Sequence, residues 1–368
     1  MDPEEALSDN RTAEYARARE LVMRHGWNTT CFQIVNPGIE YWFGDDGNSV
    51  VGYVESKGVR VVAGAPVCSK ESLPRVSGEF ETAAETKGLN VCYFGAEARL
   101  DAVYRDSADH SSVLLGAQPV WHPVNWPSIV SKRRSLRAQF NRARNKGVAV
   151  REMLIDEARS DLRLRRCLHD WLESKGLPPL HFVIEPETLD RLENRRVFVA
   201  ERGRGVVAFL TLSPIPQRAG WLTEQFPHHP TAPNGTVELM MDTAIRKLAD
   251  EGYEYITLGL SPLSKRANID RFDNPIWLTF LLGWMRRHGR RFYNFDGLDH
   301  FKSKLSPEYW EPVFAISNEP RFSGGTLWAI ASAFADNRPL AVFAGGLVKA
   351  VRTEAANVHS WILKRIAK

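Results

Sequence analysis

No stretch of about 18 consecutive apolar residues occurs in this 368-residue chain, which argues against a transmembrane helix. Cysteine is scarce. Cys31, Cys68, Cys92 and Cys167 lie far apart, with no Cys-x-x-Cys pair and no Cys/His ligand spacing. That excludes a disulfide-stapled secreted scaffold and argues against a zinc site. A large excess of one charge is missing too: the formal net charge is +4, so contact with nucleic acid or anionic lipid needs a local patch. HExxH, the P-loop and GxSxG are all absent. The first twenty residues are acidic and polar, unlike a signal peptide. What is present is an ordinary globular composition, long enough for two or three domains. The expectation is a reduced, cytoplasmic, multi-domain α/β protein.

Patterning gives the organisation. A helix over Ala13–His25 is followed by strands at Ile39–Phe43 and Val50–Val54, joined by the turn residues Asp45-Asp46-Gly47-Asn48. A strand at Val59–Ala63, a helix over Leu73–Lys87 and a strand at Asn90–Phe94 complete the series. The series recurs: helix Asp156–Ser174, hairpin Arg196–Glu201 and Val206–Leu212, strand Gly220–Glu224, helix Thr236–Glu251, strand Tyr255–Gly259. A repeated element order offset by about one domain length predicts two copies of one α/β unit, 13–155 and 156–320, with a tail at 321–368. Further helices are predicted at Ile276–His288 and Leu298–Leu305, and a strand at Pro312–Ile316.

Four segments have the composition for chemistry. From Pro127 to Arg151 there is no acid, while Lys132, Arg133, Arg134, Arg137, Arg142, Arg144, Lys146 and Arg151 accumulate. Ile129, Leu136, Phe140 and Ala143 share one helical face, so a basic helix over 127–146 would present its charges to phosphates of RNA or lipid. Next, Ala232-Pro233-Asn234-Gly235-Thr236-Val237-Glu238 enters a helix. Asn234 or Thr236 can cap it, Gly235 permits close backbone approach, and Glu238 lies in the first turn. A helix start of this kind favours an anion or a developing oxyanion. Third, Leu258-Gly259-Leu260-Ser261-Pro262-Leu263-Ser264 is a strand exit of the kind that lines ligand sites in open α/β sheets. Fourth, Tyr293-Asn294-Phe295-Asp296-Gly297-Leu298 leads to Lys302 and Lys304. Two residues apart on a helix, these lysines diverge: one reaches a phosphate while the other faces solvent. Two weaker patterns read as turn and loop. Gly203-Arg204-Gly205-Val206-Val207-Ala208 is flanked by strands on both sides, and His228-His229 has no companion ligands.

Taken together, these segments resemble the C-terminal catalytic domain of phosphatidylglycerol lysyltransferases, the multiple peptide resistance factors, from about Trp27 to Phe314. The specific parts are the 232–238, 258–263 and 293–298 segments with Phe301-Lys302-Ser303-Lys304-Leu305-Ser306-Pro307. Gly64-Ala65-Pro66 and Arg142-Ala143-Arg144-Asn145-Lys146-Gly147 match more weakly. The resemblance implies a tandem acetyltransferase-like fold. It also implies a reaction, transfer of an aminoacyl group from aminoacyl-tRNA to a hydroxyl of phosphatidylglycerol, at the inner face of the cell membrane. One ester replaces another, so no metal or redox cofactor is needed. Carried over by motif, Glu224 and Glu238 are the carboxylates, with Lys302 catalytic. Asn234, Gly235, Thr236, Ser261, Asp296 and Lys304 contact substrate, and Arg133, Arg137, Arg142 and Arg144 contact tRNA or phosphate. The sequence departs from the family at Phe226-Pro227-His228-His229 and at Asp299, where arginines are common, and it lacks the relatives' membrane-spanning flippase portion. An acyl-CoA-dependent N-acyltransferase and a non-catalytic lipid- or RNA-binding module are the alternative readings.

The tail carries apolar runs at Thr326–Ala335 and Leu340–Val348, each about half a bilayer span, separated by Asp336-Asn337-Arg338. Trp361, Ile362 and Ile366 beside Lys364, Arg365 and Lys368 suit a helix lying in an anionic interface. The tail is therefore expected to be membrane-interfacial, or else to pack on the second unit.

Overall fold

The computed structural model describes residues 3–174, 181–267, 274 and 295–335, with backbone only for 3–10, 295 and 296. In chain order the first half contains α1 (Pro3–His25), β1 (Glu40–Phe43), β2 (Val50–Ser56), β3 (Val59–Ala63), α2 (Leu73–Glu85), β4 (Asn90–Ala96), α3 (Ala98–Tyr104) and β5 (Ser111–Trp121). Then follow α4 (Trp126–Lys132), α5 (Arg134–Asn145), β6 (Val148–Met153), α6 (Ile155–Ser160), α7 (Leu162–Ser174), β7 (Arg196–Arg202), β8 (Gly205–Ile215), β9 (Gly220–Gln225), α8 (Thr236–Asp250), β10 (Tyr255–Thr257) and β11 (Ser261–Pro262). The last described elements are α9 (Phe295–Lys304), β12 (Tyr309–Ser317) and α10 (Gly324–Phe334). Local chemistry explains the turns. In the β1–β2 connection, for example, Asp46 Oδ1 accepts from Asn48 N at 2.9 Å, the side chain closing its own turn.

The strands form one 12-stranded mixed sheet in the order β1-β2-β3-β4-β12-β5-β10-β9-β8-β7-β6, with β11 on β5. Among the described pairs, parallel pairing occurs at β3–β4, spanned by α2, and at β10–β9, spanned by α8. Each half therefore has an antiparallel hairpin followed by a parallel crossover, the tandem acetyltransferase-like arrangement that the resemblance implies. Apolar residues fill both sides. Val61, Phe32 and Ile34 belong to one buried cluster and Phe80, Val76 and Tyr93 to another, while Phe198, Leu210 and Met241 form the core under α8.

The two halves meet along β5, which pairs with β10 at Ile256↔Trp121 and Thr257↔Val120 and with β11 at Ser261↔Ala117 and Pro262↔Gly116. Side chains reinforce this seam. Arg218, on the turn between β8 and β9, donates to Glu97 at 2.5 Å and to Glu311 at 2.8 Å. Its guanidinium also lies 3.9 Å from the Trp27 ring centroid and 4.5 Å from that of Tyr255. Burial opposes the charge, but Glu97 first and Tyr255 and Glu311 after it hold the guanidinium pKa above its ordinary value. Gln118 of β5 joins in by donating to Thr29 Oγ1 and Glu311 Oε2.

Four expectations are corrected. The basic segment is not one helix, because Arg133 (φ −115°, ψ 86°) breaks it into α4 and α5. The 156–174 helix is likewise two, divided at Asp161, whose extended backbone ends α6. The 309–317 strand does not join the second unit's strands. It inserts between β4 and β5, so it completes the first unit's part of the sheet. Finally, α10 packs against β2 and β3 of the first half, with Ala329, Ile330 and Ala333 in the core. That half of the tail covers the first half's sheet, and its end also touches the second unit, where Phe334 packs edge-on against Phe182 and its carbonyl accepts from His181 N. Ser323 caps it, accepting from Thr326 N at 3.1 Å. Leu340–Val348, Trp361, Ile362 and Ile366, and the 276–288 helix, lie outside the described residues. Among the described residues no helix is long and apolar enough to cross a membrane.

The seam predicts a large single-residue effect. Arg218→Met leaves Glu97 and Glu311 without their counter-charge in a buried setting, and should cost roughly 3–5 kcal/mol in urea unfolding. A loss under about 1 kcal/mol would mean that the seam does not depend on this ion pair.

Candidate active site

The loop 232–238 does become a helix start, but not in the expected way. Gly235 itself is the N-cap, at φ +93°, with no side-chain cap bond from Asn234 or Thr236. Thr236 Oγ1 donates instead to Pro233 O at 2.6 Å, and Asn234 is exposed. A Cβ on Gly235 would stand 2.2 Å from the carbonyl oxygen of Gln139 in α5. The glycine therefore lets the basic helix, rather than a ligand, approach α8. Leu136, Phe140 and Ala143 of α5 bury against the α8 core, as the helical-face reading anticipates, and Ile129 of α4 is partly buried beside them.

Beyond β10 the chain leaves β5 and returns to it. Thr257 pairs with Val120 and Ser261 with Ala117, so Leu258-Gly259-Leu260 bulges out opposite Gln118-Pro119. Pro119 has no N–H to offer across that gap. Gly116 permits the return, since a Cβ there would stand 2.2 Å from Ser261 O. The freed carbonyls are taken by Lys302, whose Nζ donates to Gly259 O and Leu260 O, both at 2.8 Å. Lys302 is 3% exposed. Burial pulls its pKa down to about 7, against a smaller opposing effect of Asp299.

The second lysine of the pair diverges, as helical spacing requires, but it does not simply face solvent. Lys304 Nζ donates to Glu238 Oε1 at 2.7 Å, and Glu238 is itself 8% exposed. Lys302, Lys304, Glu238 and the 258–261 bulge thus share one neighbourhood. Ser261 is in it, and its buried Oγ has no hydrogen-bond partner among the described residues. The Asp296 side chain, like Tyr293 and Asn294, lies outside the described residues.

Glu224 is engaged elsewhere. Its carboxylate accepts from Arg195 Nε at 2.9 Å and from Gln33 Nε2 at 3.0 Å, and Arg195 Nη2 also donates to Asn36 Oδ1. Gln33 and Asn36 come from the first half, so Glu224 stands in a buried polar network that crosses between the halves. Sequence reading missed Arg195, Gln33 and Pro119. The charge of Arg195 was visible, but its pairing with a residue 29 positions away was not. In the departing segment 226–229, Pro227 O accepts from Phe209 N and His229 N donates to Val207 O, so this stretch runs along β8.

The basic residues divide into two groups. Arg137 donates to the Val130 carbonyl at the end of α4, Arg144 lies 3.5 Å from Asp242, and Arg151 pairs with Glu157 and Glu201. Lys132, Arg133, Arg134, Arg142 and Lys146 are exposed and have no carboxylate partner among the described residues. Their charge stands on the outer face of the helix that abuts the start of α8.

The Lys302 environment predicts a pH signature. The residue titrates near 10.5 when unfolded and near about 7 when folded. Between those values the unfolded chain holds the extra proton, so Lys302 penalises folding less as pH rises from about 7 towards 10.5. In a comparison with Lys302→Met, the stability difference should shift in favour of the parent protein across that window. Parallel stability–pH curves for the two proteins would show that Lys302 keeps an ordinary pKa.

The family model "Phosphatidylglycerol lysyltransferase, C-terminal" matches residues 19–317. A phosphatidylglycerol lysyltransferase of Bacillus subtilis is 25% identical over 299 residues, covering 79% of this chain and 33% of its own length. A lysylphosphatidylglycerol biosynthesis bifunctional protein of Mycolicibacterium gilvum is 26% identical, covering 76% of this chain and 25% of its own length. The chain therefore spans about a third or less of these relatives. Two solved structures share the fold. The C-terminal domain of a putative lysylphosphatidylglycerol synthetase from Agrobacterium fabrum has a TM-score of 0.75 at 21% identity, covering 89% of this chain and 98% of that one. L-PGS from Bacillus licheniformis has a TM-score of 0.72 at 21% identity, covering 86% and 95%. On the extent of the family match together with the fold, this chain belongs to the phosphatidylglycerol lysyltransferase C-terminal family.

Proposed function

We propose that this chain moves an aminoacyl group from aminoacyl-tRNA to a hydroxyl of phosphatidylglycerol or a similar anionic lipid, working at the inner face of the cell membrane. The observation that carries this reading is Lys302: a buried amine with a pKa of about 7, held by two strand-end carbonyls beside the Glu238–Lys304 pair. A neutral amine has two hydrogens and one lone pair. Gly259 O and Leu260 O take the hydrogens, which leaves the lone pair to accept a proton. That is the requirement for a general base working near neutral pH.

The reaction then balances without another reagent. The lipid hydroxyl oxygen attacks the aminoacyl ester carbonyl as Lys302 takes its proton. The tetrahedral intermediate collapses with loss of the terminal ribose oxygen of the tRNA, which recovers the proton from Lys302. One ester bond forms and one breaks. Glu238 and Lys304 neutralise each other at rest, and the two substrates offer each of them a new partner. The α-ammonium of the aminoacyl group would go to Glu238 and the lipid phosphate to Lys304. The Ser261 hydroxyl, without a partner among the described residues, is a further donor beside this exchange. Asn234, exposed just before α8, would border the donor ester, while Gly235 and Thr236 hold the start of α8 in place, and Asp296 would lie at the start of α9. In this reading Glu224 keeps the wall between the halves in place through Arg195.

The exposed basic residues of α4 and α5 suit the tRNA backbone, and they lie next to the helix that carries Glu238. Of the four arginines singled out from sequence, Arg133 and Arg142 are the freest for phosphate, while Arg137 and Arg144 also hold local structure.

The deciding experiment supplies purified protein with phosphatidylglycerol vesicles and either charged tRNA, acetyl-CoA or no donor. Transfer should occur with charged tRNA alone, with a rate that rises with pH through about 7. Lys302→Met should lower it by at least about 100-fold while the protein stays folded, and Glu238→Gln should raise KM for the charged tRNA. Acetyl transfer would favour the acyl-CoA reading, and binding without turnover the non-catalytic one. Separately, Arg133, Arg134 and Arg142 replaced together by Gln should reduce the salt dependence of tRNA binding by roughly two to three slope units. An unchanged slope would return these residues to a merely solvated face.

A further inference from the structure

Two side chains of α9 grip the chain on either side of β11. Before the strand, Lys302 donates to the carbonyls of Gly259 and Leu260. After it, Asp299 Oδ1 accepts from Ser264 Oγ at 2.7 Å and Oδ2 accepts from Arg266 Nε at 2.9 Å. Residues three apart share a helical face, so both grips come from one side of α9. Between them β11 lies on β5, and Leu263 N donates to Leu115 O at 2.8 Å. Leu263 turns the chain at φ +61°, a left-handed conformation that a leucine keeps only where its surroundings fix it. The Ser264 N–H bonds back to Ser261 O at 3.2 Å across this turn.

The second grip is sheltered on its inner side only. Ser264 is buried and the Asp299 side chain is 16% exposed, while Arg266 reaches the surface with its guanidinium 5.4 Å from the Trp310 ring centroid. Lys302 itself sits among neutral carbonyls. Among the described residues, the charged groups on the elements around it are few. Glu238 of α8 and Lys304 of α9 bond each other, Lys265 and Arg266 follow β11, and Gln118 and Pro119 of β5, opposite the bulge, carry no charge. Of these charges Asp299 is the one that acts on Lys302, favouring its ammonium form against the larger effect of burial.

We propose that Asp299 is a positioning residue for the transfer reaction: it fastens residues 261–266 to α9, which keeps the Gly259 and Leu260 carbonyls on Lys302, and its carboxylate, shared with Arg266, governs the charge of Lys302. This rests on the reading of Lys302 as the general base. Asp299 touches no reacting atom in this role; it acts through the loop and through its charge. The shared carboxylate gives the role a signature in sign. Neutralising Asp299 removes an attraction for the Lys302 ammonium. Neutralising Arg266 leaves the carboxylate to act on Lys302 undiminished. The two changes therefore move the Lys302 proton in opposite directions, whereas a merely structural role would move both alike.

The test compares pH–rate profiles for transfer from charged tRNA to phosphatidylglycerol vesicles. The acid limb should move down by about half a pH unit or more in Asp299→Asn and move up in Arg266→Gln. Ser264→Ala loosens the loop without changing charge, so it should lower kcat and leave the limb in place. A second measurement needs no turnover: urea unfolding against pH, for each protein with and without Lys302→Met. The pH at which the Lys302 contribution begins to change should fall in Asp299→Asn and rise in Arg266→Gln. If these stability curves shift while the rate limbs stay, Asp299 still governs Lys302 and it is the general-base reading that fails. Should Asp299→Asn not fold, the upward shift in the surface variant Arg266→Gln decides. Stability curves that coincide with the parent's, or that shift the same way in both variants, overturn the proposal.

Discussion

The buried guanidinium of Arg218 is the constraint on which the rest of this molecule hangs. Two halves of a long sheet meet along β5, which β10 pairs at two positions and β11 at two more, with the 258–260 bulge between them. Arg218 joins the end of β4, through Glu97, to β12, through Glu311, and rests on aromatic rings from both halves. A charge buried this deeply tolerates little displacement, because each carboxylate must stay within hydrogen-bond reach to offset its lost hydration. The seam in turn sets where β10 lies against β5. That position decides where residues 258–260 leave the sheet, and so where two carbonyls are left for Lys302. The amine that carries the proposed chemistry thus sits beyond a strand, β10, whose place the Arg218 ion pair helps to hold.

Lys302 and Lys304 show how a spacing of two separates chemical roles on one helix. One ammonium is buried among neutral carbonyls, which disfavours its charge. The other keeps a carboxylate partner and part of its hydration. A pair of identical side chains becomes one group suited to moving a proton and one suited to holding a phosphate, because their surroundings differ.

Much of this architecture was legible in the sequence, for physical reasons that also explain what was not. Val59–Ala63 and the α8 segment read correctly because their apolar patterning and flanking turn residues agree with what the fold asks of them. The central strand β5 did not read as a strand, since Gly116 and Pro119 interrupt it. Both interruptions serve β11 and the bulge opposite, which no local pattern reveals. The break at Arg133 was invisible because arginine and lysine are good helix formers and no glycine or proline marks the site. The position of β12 was missed for a different reason: a strand's sequence says that it pairs, not with which partner. At the site, the residue types and the divergence of the two lysines were foreseeable. The partners that fix them, Gly259 O, Leu260 O and Glu238, come from distant parts of the chain.

The placement of β12 has a consequence for how the chain is made. Residues 309–317 fill the slot between β4 and β5, which are synthesised some two hundred residues earlier. On an emerging chain the first half would wait with two strand edges unpaired while the whole second half appears, a long-range closure of the kind that slows folding and invites mispairing. The last described strand is therefore a latch on the order of assembly. Expression of residues 1–300 alone would leave a first half that is complete in sequence but lacks the middle of its own sheet.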